Sequence, residues 1–165
     1  MRPRIGSAPK VADEVWIATA LLHLEHPAQK DFSIAEIVER ARREALAPTL
    51  RPGVYVHVVQ HCVANRRPSP ARYRMLVETG PHRRRLFRSG DPYHPGREGA
   101  KVLPATPDIP REYRRLIDWY ERDYARRRSP ERAADPLLEL RGTGRALWAK
   151  ERPDAYVRRL REGWE

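Results

Sequence analysis

The stretch ARYRMLVETGPHRRRLFR, residues 71–88, predicts a β-hairpin. In its first half, Tyr73, Met75 and Val77 recur at the period of two that a half-buried strand requires. TGPH at 79–82 has the composition of a turn, and RRRLFR at 83–88 supplies the return strand. The chain is therefore expected to contain an antiparallel pair of strands near its middle.

Arginines are more frequent in this hairpin than solubility alone requires. Six of them fall within residues 72–88: Arg72, Arg74, Arg83, Arg84, Arg85 and Arg88. So dense a run of guanidinium groups predicts an acidic partner that faces the hairpin.

The overall charge gives the same indication. The 165 residues carry a formal net charge of +11, with a pI near 10.5. Residues 51–100 contain ten arginines and only three acidic residues, so the excess is centred on the hairpin. Nucleic acid is the commonest partner of such a protein, while a membrane surface or an acidic protein is an alternative.

The sequence contains few indications of a cellular compartment or of a cofactor. Cys62 is the single cysteine, so no intrachain disulfide is possible. The N-terminal residues lack the apolar region of a signal peptide, and no run approaches the roughly 18 apolar residues of a membrane span. We expect a cytoplasmic protein without membrane association.

Two helices are predicted before the hairpin. Residues 11–25, VADEVWIATALLHLE, place apolar side chains on one helical stripe, and Pro27 follows. Ser33 precedes IAEIVERARREAL with Glu36 three residues later, which is the pattern of a capping box. The second helix should end before Pro48.

RPGVYVHVVQHCVANRRP, residues 51–68, is rich enough in valine to fit a strand, but its length and periodicity favour a third helix. At about 100° per residue, Val54, Val58, Val59 and Cys62 share one side. The other side groups His57, Gln60, His61 and Ala64.

Three helices followed by a basic hairpin resemble a winged helix-turn-helix domain, and in particular its HARE-like relatives, over residues 11–90. The resemblance rests on element order and charge. It implies a mainly α protein with a small β-hairpin (α+β), whose third helix enters the major groove and whose hairpin follows the DNA backbone or the minor groove.

The resemblance and the residue chemistry together give a set of expected DNA contacts. Gln60 suits adenine, the two histidines suit base acceptors, and guanidinium groups suit phosphates, whereas the alternative is that this surface is only solvated. The expected DNA-binding residues are His57, Gln60, His61, Arg66, Arg67, Arg72, Arg74, Arg83, Arg84, Arg85 and Arg88.

The residues that could form a metal site or a catalytic site have simpler interpretations. His57 and His61 share a helical face, but Cys62 points about 100° away and no carboxylate lies between the histidines. Asp91 and His94 could form an acid–base pair, yet no nucleophile accompanies them, and a connecting loop explains them better. We predict no cofactor, no metal and no enzymatic activity.

The second half of the chain begins with a proline-rich connector, residues 91–110, which leads to an amphipathic helix at 111–128. Tyr113, Leu116, Ile117, Tyr120 and Tyr124 follow helical spacing. This stripe is expected to pack on the body or on a second copy, which would make a homodimer through 111–128. Residues 1–10 are expected to form a flexible N-terminus.

Residues 129–165 are expected to form a separate partner-binding tail. DPLLELRGTGRALW and PDAYVRRLREGWE resemble the C-terminal segment of bacterial type II antitoxins of the AbrB-like and VapB-like kinds, which implies a PIN-type nuclease toxin as partner. Independently, apolar anchors beside arginines suit an acidic surface, while packing on the chain's own body is the alternative. The expected partner-binding residues are Arg141, Arg145, Leu147, Trp148, Tyr156, Leu160 and Trp164.

The sequence thus predicts a non-catalytic protein that binds double-stranded DNA, of the antitoxin-type regulator class that neutralises a ribonuclease toxin through its tail. An accessory domain or enzyme of nucleic-acid processing is the alternative.

Overall fold

The computed structural model describes residues 8–127, which form an α+β fold of four helices and a three-stranded antiparallel sheet. The first elements are α1 Val11–Glu25, β1 Phe32–Ser33, α2 Ile34–Glu44 and α3 Gly53–Val56, which continues as a π-helical turn, His57–His61. The hairpin strands are β2 Leu76–Gly80 and β3 Arg83–Leu86. After single 3-10 turns at Pro95–Arg97, Thr106–Asp108 and Arg111–Tyr113 comes α4, Arg114–Trp119, which continues as a second π-helical turn, Tyr120–Tyr124.

The predicted α+β class is confirmed. The chain divides into two units after Arg127, and predictions that concern residues 1–7 and 128–165 lie outside the described residues.

The predicted hairpin is present, with shorter strands. Leu76 lies opposite Leu86, and a bulge between Glu78 and Gly80 brings Gly80 opposite Arg83. His82 closes the turn in the left-handed region, at φ 57°. Tyr73 lies before the strand and pairs instead with Lys101 in an isolated bridge.

Strand β1 was not predicted from the sequence. It pairs antiparallel with β3, so that β3 is central and the sheet order is β1-β3-β2. Two residues are too few to show an alternating pattern, so no sequence pattern indicates this strand.

Helix α1 lies at the centre of the body. All of its residues from Ala12 to His23 are buried, so its buried surface is wider than the single apolar stripe that the sequence predicts. α2, α3, β3 and α4 all contact it. Its two buried carboxylates have cationic partners, since Lys101 Nζ lies 3.2 Å from Asp13 and Arg51 pairs with Glu14. Burial nevertheless raises the pKa of Asp13.

The capping box of α2 is confirmed. The Ser33 hydroxyl accepts a hydrogen bond from the Glu36 amide at 3.1 Å, and the Glu36 carboxylate accepts one from the Ser33 amide at 2.7 Å. The helix ends at Glu44, before Pro48 as predicted, with Ala45 left-handed at φ 52°.

The aromatic stripe of residues 111–128 packs on the chain's own body, which was one of the two expected alternatives. Leu116, Ile117, Tyr120 and Tyr124 are buried in the core. The hydroxyl of Tyr120 donates to the Phe87 carbonyl at 2.5 Å, and that of Tyr124 to the Leu86 carbonyl at 3.1 Å. A homodimer through this segment stays a prediction, and it would have to use the exposed side of α4.

Candidate nucleic-acid interface

Helix α3 lies at the surface and exposes a different face from the predicted one. Val54, Val58 and Cys62 are buried, as expected. The outward side carries Tyr55, which is 58% exposed, and Val56, which is 43% exposed. Ala64, which the sequence placed on the polar face, is buried, because the chain leaves the helix through a π-helical turn and then pairs with β2.

His57 and His61 lie at the side of α3 and are only half-exposed. His57 Nδ1 is 2.8 Å from the Gly53 carbonyl oxygen and donates to it, which leaves Nε2 as the acceptor. The two rings contact each other edge to face at 4.9 Å, and His57 also neighbours Tyr73. Burial lowers the pKa of His57, so this side chain is neutral at physiological pH.

Gln60 lies at the margin of the outward face. Its amide donates to the Arg67 carbonyl at 2.5 Å, so the side chain is fixed against the loop that follows α3. The carbonyl oxygen of the Gln60 side chain forms no hydrogen bond within residues 8–127 and remains as an acceptor.

A groove of about 570 Å³ runs beside this face. Tyr55 of α3, Val38 and Arg42 of α2 and His82 of the hairpin turn are among its lining residues. α2, α3 and the tip of the hairpin therefore share one surface.

Two buried arginines occupy the C-terminal end of α3. The last four carbonyls of a helix lack partners within the helix and need donors from elsewhere. Arg84 donates to the carbonyls of Val58 at 3.2 Å and Val59 at 3.4 Å. Arg97 donates to those of Gln60 at 2.9 Å and His61 at 2.8 Å, so every one of these four carbonyls has a guanidinium partner.

Arg97 extends this role beyond the helix. It is 0% exposed, and it also donates to the carbonyls of Arg66 at 2.7 Å and Tyr73 at 2.6 Å. It forms no ion pair within residues 8–127, so its charge is stabilised by carbonyl dipoles. Arg97 thus ties α3 to the loop that leads into β2.

The return strand does not present its arginines to solvent as predicted. Arg84 is buried and lies 3.2 Å from Glu78, in addition to its carbonyl contacts. Arg85 is buried and forms a two-pronged ion pair with Asp91, at 2.6 and 2.9 Å. Arg83 is partly exposed and pairs with Asp31, whose other oxygen accepts from Thr79.

Arg88 follows β3 and is also buried, with its guanidinium carbon 4.4 Å from the centre of the Tyr124 ring. Phosphate contact by Arg84, Arg85 or Arg88 would require each to leave these sites, so we do not retain the three as contact residues. The other predicted arginines, apart from Arg83, lie in the loop between α3 and β2.

In that loop the arginines differ in exposure. Arg66 forms a two-pronged pair with Glu78, at 2.7 and 2.8 Å, and its hydrogen bonds hold the pKa of Glu78 below its usual range. Arg74 is half-buried over the Tyr93 ring, 4.3 Å from its centre. Arg67 and Arg72 are exposed and form no ion pair within the described residues.

The residues considered for catalysis are not brought together. Asp91 accepts from Arg85 and from the Arg88 amide, whereas His94 accepts from the Gly96 amide. Cys62 is fully buried, and burial raises the pKa of its thiol. Within residues 8–127, no three His, Cys, Asp or Glu side chains are grouped closely enough to hold a metal ion.

Sequence reasoning missed two features of this surface. The exposure of Tyr55 was not predicted, because at about 100° per residue Tyr55 falls between Cys62 and Val59, on the side that the helical period assigns to the core. Arg97 was counted only as charge in a proline-rich segment, and no local pattern marks an arginine that binds carbonyls distant in sequence.

The predicted partner-binding residues, Arg141 to Trp164, lie outside the described residues. Among the helices that the structure describes, none has the length and apolar character needed to cross a membrane. No protein-family model, curated protein or solved structure matches the chain.

Proposed function

We propose that the chain is a non-catalytic DNA-binding protein of the winged helix-turn-helix type, in which α3 enters the major groove and the β2–β3 turn contacts the neighbouring backbone. The observation that carries the proposal is the element order α1-β1-α2-α3-β2-β3 with β1 added to the central strand β3. This order places a surface helix beside a hairpin tip, which is the arrangement that such domains use to read a duplex.

The outward face of α3 favours a particular kind of base contact. Tyr55 and Val56 are exposed and largely apolar, and apolar side chains recognise the methyl group of thymine in the major groove. Gln60 adds an acceptor at the margin of the same face. His57 and His61 lie to one side and contribute less to the proposed contact than the sequence implied.

The phosphate contacts in this proposal come from exposed arginines around α3. Arg42 lies on α2 beside the groove, and Arg67 and Arg72 lie in the loop after α3. Arg83 at the hairpin turn is a fourth, since its pair with Asp31 leaves it partly exposed. The exposed ion pair Arg42–Glu39 is weak enough to exchange for phosphate.

The base contact is tested with a duplex selected from a random library, using the two exposed tyrosines as a matched pair. Tyr55→Ala is expected to weaken binding of the selected duplex about tenfold, because it removes the central apolar contact of α3. Tyr93→Ala, which removes an exposed tyrosine of the loop after β3, is expected to change it less than about twofold. Fluorescence anisotropy provides the measurement.

If both variants bind like the parent protein, α3 is not the reading element. If the parent selects no sequence above random duplex, base readout by this face is wrong even where charge-driven binding persists.

The tail resemblance favours a second component of this function. We propose that residues 129–165 bind a nuclease of the PIN type through the anchors Leu147, Trp148, Tyr156, Leu160 and Trp164, and that Arg141 and Arg145 approach its acidic site. Arginine is suited to that role because its planar donors match paired carboxylate oxygens.

Coexpression with the product of the neighbouring reading frame tests the tail. The full chain is expected to copurify with that product and to inhibit its ribonuclease activity. Trp148→Ala should reduce copurification at least tenfold, and Tyr93→Ala, which removes an exposed aromatic side chain outside the tail, is the control that should leave it unchanged. Copurification that is absent, or equally strong with Trp148→Ala, would contradict the proposed tail contact.

A further inference from the structure

A second cavity, of about 230 Å³, lies away from the α3 surface. The end of α1, the loop before β1, the residue that follows β3 and the end of α4 form its walls. Leu24, Pro27, Trp119 and Tyr124 give it an apolar and aromatic lining, and Arg88 and Arg127 add two cations. None of the residues proposed to contact DNA lines it.

Arg88 is the unusual residue of this cavity. Arg88 is only 9% exposed, yet its guanidinium forms no ion pair or hydrogen bond within residues 8–127. Nε is buried without a hydrogen-bond partner among those residues, and its one ring contact is with Tyr124. A buried guanidinium without an acceptor is costly, so an anion that supplied the acceptor would be strongly favoured.

The surroundings do not neutralise this charge. Asp91 is the nearest buried carboxylate, and it is already paired with Arg85. Arg127, at the mouth of the cavity, also has no ion pair within the described residues. His23 also lines the cavity. Its pKa is lowered to about 3, first by burial and then by the positive charges of Arg88, Arg85 and Arg127.

We propose that this cavity binds a small organic oxyanion, a carboxylate or phosphate ester with an aromatic or aliphatic body. The oxyanion accepts hydrogen bonds from Arg88 and Arg127, and the body packs against Trp119 and Tyr124. Charged acceptors form the strongest hydrogen bonds with guanidinium groups, and aromatic walls suit a flat ligand of about the size of benzoate.

The test is isothermal titration of the full chain with benzoate and with phenyl phosphate. Saturable binding of at least one probe in the millimolar range or below is expected. Arg127→Gln should weaken it about tenfold, because one charged hydrogen bond is lost, and Arg88→Gln should weaken it further. Arg111→Gln, an exposed arginine distant from the cavity, should bind like the parent.

If Arg88→Gln does not fold, the comparison of Arg127→Gln with Arg111→Gln still tests the proposal, because Arg127 is exposed and its replacement does not disturb the core. The proposal is overturned if the parent binds neither probe, or if Arg127→Gln and Arg111→Gln bind both probes alike. DNA affinity does not enter these outcomes, so this proposal and the proposed function fail independently.

Discussion

Replacing Arg97 with methionine is expected to lower the free energy of unfolding by about 3–5 kcal/mol. Methionine keeps much of the length of the side chain but removes every donor. The carbonyls of Arg66 and Tyr73 would then lose their partner in a place that water reaches poorly. Those of Gln60 and His61 would keep only the long bonds that they accept from backbone amides, at 3.2 and 3.3 Å. An unsatisfied buried acceptor costs about 1–3 kcal/mol, and partial rearrangement keeps the total below the simple sum.

Urea unfolding followed by circular dichroism provides the measurement, with Arg67→Met as the matched control. Arg67 is near Arg97 in space, since its backbone carbonyl lies 3.5 Å from the Arg97 guanidinium, but its side chain is exposed. Its replacement should therefore change stability by no more than about 0.5 kcal/mol. Arg97→Lys should lie between the two, because an ammonium has three donors and cannot span four carbonyls. A loss below about 1 kcal/mol for Arg97→Met would show that the carbonyl contacts contribute little.

This role of arginine explains part of the composition that first suggested a nucleic-acid partner. Arg84 and Arg97 supply donors to the end of α3, and Arg85 joins the hairpin to Asp91. Arginine suits such sites because its five donors are fixed in a plane and its charge persists when buried. A count of arginines therefore overstates the charge that is available to a partner.

Local patterns predicted what depends on neighbouring residues. The capping box at Ser33 and Glu36 and the turn at 79–82 both follow from short-range chemistry, and both are present. β1 was missed because Phe32–Ser33 is a strand only through its pairing with β3. The contacts of Arg97 were missed for the same kind of reason, since its acceptors lie 24 to 37 positions away.

The buried and exposed sides of α3 were predicted only in part. The helical period correctly placed Val54, Val58 and Cys62 in the core. It failed for Ala64, because the π-helical turn at His57–His61 changes the phase and ends the helix earlier. The helical spacing of the aromatic stripe of α4 was predicted correctly. This spacing alone does not show whether the stripe packs on the chain's own body or on a second copy.

The largest effect on DNA affinity is expected from the triple variant Arg42→Ala, Arg67→Ala, Arg72→Ala. With four phosphate contacts, a plot of log affinity against log salt concentration should have a slope of about −3.6, or roughly a 150-fold loss between 50 and 200 mM salt. Three of those contacts disappear in the variant, and Arg83 remains. Its slope should therefore be about −0.9, which is a loss of only roughly three- to fourfold over the same range.

The matched control is the triple variant Arg111→Ala, Arg115→Ala, Arg122→Ala. It removes the same net charge from exposed positions on α4 and the turn before it, and it leaves the α3 surface intact.

The most direct measurement of the proposed interface is thus the salt dependence of duplex binding for the parent and these two triple variants. The account predicts that the α3-side variant loses most of the slope, while the α4-side variant keeps a slope within about half a unit of the parent. Equal flattening in both variants, or a parent slope near zero, would contradict a DNA-binding surface formed by α2, α3 and the hairpin.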